Sequence, residues 1–119
     1  MAAEISRAQD SILRATGSSP RFFRAPAGLR NPFLDPVLTR LQLRLASWTR
    51  RGFDTVSTNA DVVYRRLADS LQDGDILLLH DGNAARSRGG KPVILEVLPR
   101  LLDALAAKQL RPVTLRSAL

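Results

Sequence analysis

The chain has 119 residues, of which 45% are hydrophobic, and it contains no cysteine. This length and composition suit one small globular domain and exclude disulfides and thiolate metal sites. No apolar run approaches the roughly 18 to 20 residues that cross a bilayer. The N-terminus lacks the charged-then-apolar order of a secretory signal, so as the chain stands we expect a cytoplasmic location. The absence of cysteine leaves the compartment itself undetermined.

The net charge of +7 raises the question of nucleic-acid binding. Sixteen of the eighteen basic residues are arginines spread over the whole chain, and the longest basic runs are the pairs Arg50-Arg51 and Arg65-Arg66. No aromatic residues interleave with them to form the stacking platform that binds single strands. The sequence therefore favours arginine-rich, solvated helix faces over a nucleic-acid partner.

Helices and short β-favouring segments alternate along the chain. Apolar residues at helical spacing and capping residues predict the helices, and short apolar or alternating runs predict the strands. In order, we expect a helix over 3–15, a strand at 21–24, a helix over 35–42, a strand over 43–48, a helix over 60–71, a strand around 76–79, a helix within 92–108 and an edge strand over 111–115. Segments 49–54 and 81–91 are predicted loops, the second of them flexible.

Two of these helices have an apolar face that is expected to turn toward the core. The residues are Ile5, Ala8, Ile12 and Leu13 in the first helix and Leu95, Leu98, Leu102 and Leu105 in the last. Pro99 lies inside the last pattern, so that helix either begins near Pro99 or is kinked there. Asp35 is the expected N-cap of the second helix, with Pro36 at its first position.

The strand around 76–79 carries the most informative residue of the chain. Four apolar residues bounded by Asp-Gly pairs lead directly into His80, the only histidine. This pattern predicts a strand buried on both faces with His80 at its C-terminal end, where ligands and catalytic groups collect in α/β proteins. The alternation as a whole predicts an α/β fold of mostly parallel strands, too few to close a barrel alone.

Three short motifs stand in order along this pattern. They are Arg24-Ala-Pro-Ala-Gly28, Trp48 followed six residues later by Asp54, and Leu78-Leu-His80 after an acidic-glycine turn. In order and spacing they resemble the third, fourth and fifth motifs of the polysaccharide deacetylase (NodB-homology) family, whose members fold as a distorted (β/α) barrel and deacetylate N-acetylated sugars. The resemblance implies that residues 1–119 are one partial domain, the C-terminal half of such a barrel.

The resemblance also implies roles for seven residues. His80 would be the general acid that protonates the departing sugar amine, a task suited to a side chain that changes charge near neutral pH. Asp54 would hydrogen-bond to His80 and hold its protonated form, and Arg24 would hold the catalytic carboxylate of the missing half. The others would bind substrate: Trp48 would form one side of the groove, and Leu78 a wall of the pocket for the acetyl methyl. Pro26 and Gly28 would shape the loop that passes under the substrate.

Each of these residues also has an ordinary structural interpretation. A single histidine at a strand end is often structural, a tryptophan such as Trp48 suits a core, and Asp54 after Gly-Phe suits a turn. Arg24 is one of sixteen arginines, and Leu78 belongs to a buried strand under either interpretation. Only the combination of the motifs favours a catalytic role.

The sequence departs from the family in the residues that handle metal. The first two family motifs, which supply the base aspartate and the metal ligands, have no counterpart, and Arg51 and Thr55 stand where the fourth motif often has aspartate and tryptophan. We therefore expect no cofactor in this chain, and a divalent metal such as zinc only if the missing N-terminal half is supplied. The chain alone should be inactive, and it should associate with that half or with itself.

Three functions are compatible with these observations. The first is a carbohydrate deacetylase-like hydrolase that acts on C–N bonds of an N-acetylated substrate, present here as a truncated or split form. The second is a non-catalytic remnant that binds glycans or another protein through the same groove. The third is a basic nucleic-acid or anionic-surface binder, which binding insensitive to salt would eliminate.

Overall fold

The computed structural model describes all 119 residues, which form two compact units: Met1–Ser47 with Thr114–Leu119, and Trp48–Val113. The helices are α1 (Ala2–Thr16), α2 (Leu34–Arg40), α3 (Ala60–Ala68), α4 (Val93–Ala107) and α5 (Leu115–Ala118), and the strands are β1 (Phe22–Phe23), β2 (Arg44–Leu45), β3 (Arg50–Arg51) and β4 (Leu77–Leu78). A single 3₁₀ turn covers Pro26–Gly28. No helix has both the length and the apolar character needed to span a bilayer.

The strands form two separate parallel pairs, β1 with β2 and β3 with β4. The predicted α/β class with short parallel strands is therefore confirmed. The prediction of a loop over 49–54 was wrong, because this segment contains β3. The backbone N–H groups of Thr49 and Arg50 donate to the carbonyl of Ile76, at 2.8 and 3.2 Å. Two consecutive arginines give no β signal, so the sequence pattern could not show this pairing.

The first unit is built from α1, α2 and the β1–β2 pair around a small core. The buried residues are Ile5, Ala25, Leu34, Leu38 and Leu43. On α1, which ends at Gly17 in the left-handed conformation, only Ile5 of the predicted apolar face is buried. Ile12 and Leu13 remain 44% and 42% exposed. The expected inward face of α1 was wrong beyond its first turns, because this core extends no further along the helix.

Helix starts in the structure agree with the sequence at α3 and differ at α2. The side-chain oxygen of Asn59 accepts hydrogen bonds from the N–H groups of Asp61 and Val62 and caps α3, which starts at residue 60 as predicted. At α2 the N-cap is Phe33 and not Asp35. Asp35 lies instead in the first turn of α2, where its negative charge is attracted to the positive end of the helix dipole.

The C-terminal segment forms a short helix in place of the edge strand expected over 111–115. The hydroxyl of Thr114 accepts a hydrogen bond from Ser117 N–H at 3.2 Å and caps α5. Residues 110–114 form no regular structure, and Pro112 among them has no N–H to donate to a strand ladder. The edge-strand prediction was wrong: it followed the alternation of apolar residues, whereas the Thr114 cap starts a helix at Leu115.

The second unit packs α3 against α4, with the residues of β4 on one side. Its most deeply buried apolar residues are Val63, Leu67, Val93, Val97 and Leu101. On α4, Leu95, Leu98 and Leu102 are exposed, so the predicted inward face was wrong except at Leu105. Both sides of α4 carry leucines, and helical periodicity alone does not decide which side is buried.

Proline 99 does not mark the start of the last helix. It is exposed in the middle of α4, which begins at Val93. Of the two alternatives that the sequence left open, a start near Pro99 is therefore excluded.

At Gly52 the backbone after β3 lies close to α3. A Cβ atom at residue 52 would meet Val63 Cγ1 at 2.7 Å and Val63 O at 3.1 Å. We expect Gly52→Ala to lower the free energy of unfolding by about 1–3 kcal/mol, as overpacking does in well-packed cores. Urea denaturation measures this change. Gly82→Ala is the matched control, because a Cβ there meets nothing within 4 Å; equal losses at both positions would contradict the close contact.

Candidate active site

Asp54 and His80 meet at the C-terminal edge of the β3–β4 pair. Asp54 follows β3 and His80 follows β4, and because the strands are parallel both residues leave the same edge. His80 Nδ1 lies 2.8 Å from Asp54 Oδ1, and the backbone N–H of His80 donates to Asp54 Oδ2 at 2.8 Å. One carboxylate therefore holds both the ring and the backbone of the histidine.

The two members of this pair differ in their access to solvent. The Asp54 side chain is 2% exposed, whereas the His80 side chain is 31% exposed. A carboxylate only accepts hydrogen bonds, so the contact assigns a proton to Nδ1 of the imidazole. Nε2 makes no hydrogen bond within the chain, so it is the ring nitrogen left to exchange a proton with a ligand.

A backbone connection ties Asp54 to the loop over 81–91. The N–H of Ala85 donates to the Asp54 carbonyl at 2.8 Å, and the N–H of Val93 donates to the Ala85 carbonyl at 2.7 Å. Farther along, Arg86 and Pro92 form an antiparallel bridge. The loop that the sequence predicted as flexible thus makes regular backbone hydrogen bonds, and through them the start of α4 is joined to the site.

Leu78 lies on a different side of β4 from its neighbours. Leu77 and Leu79 pack against the core formed by α3 and α4, while Leu78 is buried but contacts no part of that core cluster. Side chains alternate along a strand, which places Leu78 and His80 on the same side of this segment. Leu78 therefore lies where it could contact a group held at His80.

Arg24, Pro26 and Gly28 belong to the first unit, whereas Asp54, Leu78 and His80 belong to the second. The Arg24 side chain is exposed and makes no ion pair. Pro26 and Gly28 bound the 3₁₀ turn, where Gly28 adopts a φ of 73°. This φ lies in the left-handed region that glycine enters without strain.

Trp48 lies just before β3, and its ring faces an arginine. Arg51 Cζ is 5.6 Å from the Trp48 ring centroid and 4.0 Å from that of Phe53, and Arg66 Cζ is 5.2 Å from the Phe53 centroid. Sequence reasoning missed this grouping, since it found no aromatic residues interleaved with arginines. The available signal was the Arg-Gly-Phe run before Asp54, in which a glycine lets the chain turn between two large side chains.

Asp75 anchors a polar network at the start of β3 and β4. Its carboxylate accepts hydrogen bonds from Gln72 N–H, from Arg50 Nε at 2.8 Å and from the Thr49 hydroxyl at 2.8 Å. Arg50 also donates to the carbonyls of Asp69 and Ser70. The Gln72 hydrogen bond first, then those from Arg50 and Thr49, lower the pKa of Asp75 from 3.8 to about 2.

This pKa shift predicts a specific dependence of stability on pH. Because the folded-state pKa is depressed, the stabilisation by Asp75 is complete above about pH 4 and is lost as the pH falls through about 2. The difference in unfolding free energy between the native chain and Asp75→Asn should shrink across that window in urea titrations. Asp73→Asn is the control, because Asp73 is exposed and makes no ion pair. A difference that stays constant down to pH 2 would contradict the assignment.

The side chains of this chain do not form a metal site. No group of three or more histidine, cysteine, aspartate or glutamate residues lies close enough together to hold a metal ion. Both oxygens of Asp54, the one buried acidic residue, are already engaged by His80. The residues present therefore do not fit the metal that the family resemblance implies for a complete domain.

The second unit presents a buried aspartate and a histidine at one edge of a parallel strand pair, an arrangement suited to general acid–base chemistry. No family model matches the chain. The chain is 31% identical over 112 residues to the chitooligosaccharide deacetylase of Azorhizobium caulinodans. The aligned region covers 88% of this chain and 53% of that protein. The chain is also 30% identical over 80 residues to the bifunctional xylanase/xylan deacetylase of Cellvibrio japonicus. This aligned region covers 67% of this chain and 12% of that protein.

One solved structure is similar to this chain in both fold and sequence. The family 4 carbohydrate esterase from Streptomyces lividans, in complex with acetate, superposes with a TM-score of 0.80 at 29% identity and covers 95% of this chain and 54% of that one. The chain is thus homologous to the polysaccharide deacetylases of carbohydrate esterase family 4, and the predicted resemblance is confirmed. It spans about half the length of the chitooligosaccharide deacetylase and of the solved esterase.

Proposed function

We propose that this chain is the acid-bearing half of a carbohydrate deacetylase that removes acetyl groups from N-acetylated sugars. In this proposal residues 1–119 form a single partial domain, the C-terminal half of a distorted (β/α) barrel. The observation that carries it is the contact of His80 Nδ1 with buried Asp54 at 2.8 Å, at the C-terminal edge of two parallel strands. The homology to deacetylases supports the same reaction class.

His80 would act on the leaving group of the reaction. Hydrolysis adds water to the acetamide carbonyl carbon and breaks the C–N bond, and the departing amine nitrogen needs a proton. His80 Nε2 would give that proton, while Asp54 stabilises the imidazolium through Nδ1. Leu78, on the same side of β4, would contact the acetyl methyl, and Trp48 would line the sugar groove beside it.

The groups that activate water would come from a second half-domain. This chain spans 53% of the Azorhizobium caulinodans deacetylase and 54% of the Streptomyces lividans esterase, so each of these relatives has a further part that this chain does not match. Apolar side chains on two helices are available to be covered: Ile12 and Leu13 on α1, and Leu95, Leu98 and Leu102 on α4. Arg24, whose guanidinium has no acidic partner here, would bind a carboxylate of that half, and Pro26 and Gly28 would shape the loop below the substrate.

The test is reconstitution. This chain would be co-expressed with the part of the Azorhizobium caulinodans deacetylase that it does not match, supplied with zinc, and assayed for acetate release from chitin oligomers. We expect the two parts to elute together in size-exclusion chromatography and to release acetate, and each part alone to be inactive. A metal-loaded complex that releases no acetate would count against the deacetylase.

The same experiment separates the deacetylase from a non-catalytic glycan-binding protein. Binding of chitin oligomers that persists in both His80→Ala and Asp54→Ala, together with no turnover in the complex, would favour the binding protein. Loss of turnover in these variants from an active complex would favour the deacetylase.

A further inference from the structure

Two guanidinium groups lie over one exposed aromatic ring, next in sequence to Asp54. Arg51 Cζ lies 4.0 Å and Arg66 Cζ 5.2 Å from the ring centroid of Phe53, and Arg51 also lies 5.6 Å from the ring of Trp48. The side chains of Arg51, Phe53 and Arg66 are all exposed. We refer to Trp48, Arg51, Phe53 and Arg66 together as the cationic aromatic surface.

No acidic side chain neutralises this surface. The ion pairs of the chain involve other basic groups, and neither Arg51 nor Arg66 takes part in one. Arg66 donates one hydrogen bond, to the Gly52 carbonyl at 3.3 Å, which leaves most of its N–H donors free. Two like charges near one ring repel each other, and the ring face offsets only part of that repulsion. An anion bound between them would be stabilised by both.

The backbone fixes the position of this surface relative to the acid pair. Gly52 packs directly on Val63 of α3, and Phe53 adopts a φ of 57°, which is rare for a bulky side chain. The turn sends Phe53 outward to solvent and Asp54 inward to His80. The two features therefore stand at adjacent residues of one turn.

We infer that the cationic aromatic surface binds the carboxylate of an acidic sugar unit, such as a uronic acid, in the glycan chain that the enzyme acts on. The planar guanidinium groups, which lie over the Phe53 ring, would bind the sugar carboxylate through paired charge-assisted hydrogen bonds. The choice of a carbohydrate rests on the proposed function. A nucleic-acid strand would require several phosphate contacts in a row, whereas this surface offers two free guanidinium groups.

Calorimetric titration of the full chain tests this inference without any need for turnover. We expect an oligogalacturonate to bind at low salt and a neutral chitin oligomer of the same length to bind more weakly. Arg51→Gln and Arg66→Gln should each weaken oligogalacturonate binding about tenfold, the loss of one charge-assisted hydrogen-bonding group. Arg65→Gln is the matched control, since it removes the same charge from the next exposed position on α3 and lies over no ring; it should change binding less than about twofold.

Three results would overturn the inference. Equal binding of the acidic and neutral oligomers would do so, and so would an equal loss in Arg65→Gln and Arg66→Gln, which would reveal general charge attraction. Tighter binding of a single-stranded DNA oligonucleotide, with a steep dependence on salt, would assign the surface to nucleic acid. The proposed function is tested by a different measurement. If oligogalacturonate binds but the reconstituted complex releases no acetate from chitin oligomers, only the proposed function fails. If acetate is released but oligogalacturonate does not bind, only this inference fails.

Discussion

In the reconstituted deacetylase, His80→Gln is expected to lower the rate of acetate release by about 10²- to 10⁴-fold, the range that a positioned general acid contributes. Glutamine retains the backbone N–H that donates to Asp54 Oδ2, so the fold around the carboxylate should persist. It cannot carry the proton that the leaving amine needs. Initial rates of acetate release from chitin oligomers measure the effect, and circular dichroism confirms that the variant is folded.

Asp81→Asn is the control for this substitution, because Asp81 is the next residue and is exposed. Its rate should stay within about twofold of the unmodified chain, in line with the small effect of exposed charges. Asp54→Asn should be slow as well, and the double variant should be no slower than His80→Gln alone, because residues that act as a unit are not additive. If the rate reductions of the two single variants multiplied in the double variant, Asp54 and His80 would act independently.

The second large effect is expected in the core of the second unit. Leu101→Ala should lower the free energy of unfolding by about 2–5 kcal/mol, since it removes a buried side chain and leaves a cavity between α3 and α4. Leu101 is 1% exposed, whereas Leu102 is 47% exposed. Leu102→Ala, the same chemical change one residue along α4, should alter stability by only about 0.5 kcal/mol.

Urea denaturation followed by circular dichroism distinguishes the two positions. The comparison is informative because the sequence pattern assigned Leu102 to the core and gave no such role to Leu101. A larger loss for Leu102→Ala would mean that the face predicted from sequence is the buried one. In the reconstituted complex, a greater cost for Leu102→Ala than in the chain alone would show that the second half-domain covers this face.

Much of the fold could be predicted from local patterns in the sequence. The extent of α1, its end at Gly17 and the start of α3 near Asn59 follow from helical periodicity and capping, which act within a few residues. The parallel α/β class follows from the alternation of helices and strands. These features depend on neighbours in sequence, so one chain contains the information they need.

Other features depend on contacts between distant residues. β3 consists of two arginines, and its pairing with β4 depends on a hydrogen bond to the distant carbonyl of Ile76. Both sides of α4 are apolar, and the side that is buried is the one that packs against α3. For the site, motif resemblance nominated Asp54 and His80, but their 2.8 Å contact requires the parallel register of two strands far apart in sequence. The grouping of Arg51 and Arg66 on Phe53 likewise depends on the packing of α3.

The β3–β4 pair is only two residues long on each strand, yet side chains hold it at both of its ends. Arg50 and Thr49 bind Asp75 where the strands begin, and Asp54 binds His80 beyond their ends. A slip of one residue would separate both polar pairs and turn His80 to the opposite side of the strand. The alignment of these strands is thus encoded by charged and polar side chains, and a single-residue insertion between Gly52 and Asp54 would misalign the acid pair while leaving the hydrophobic core intact.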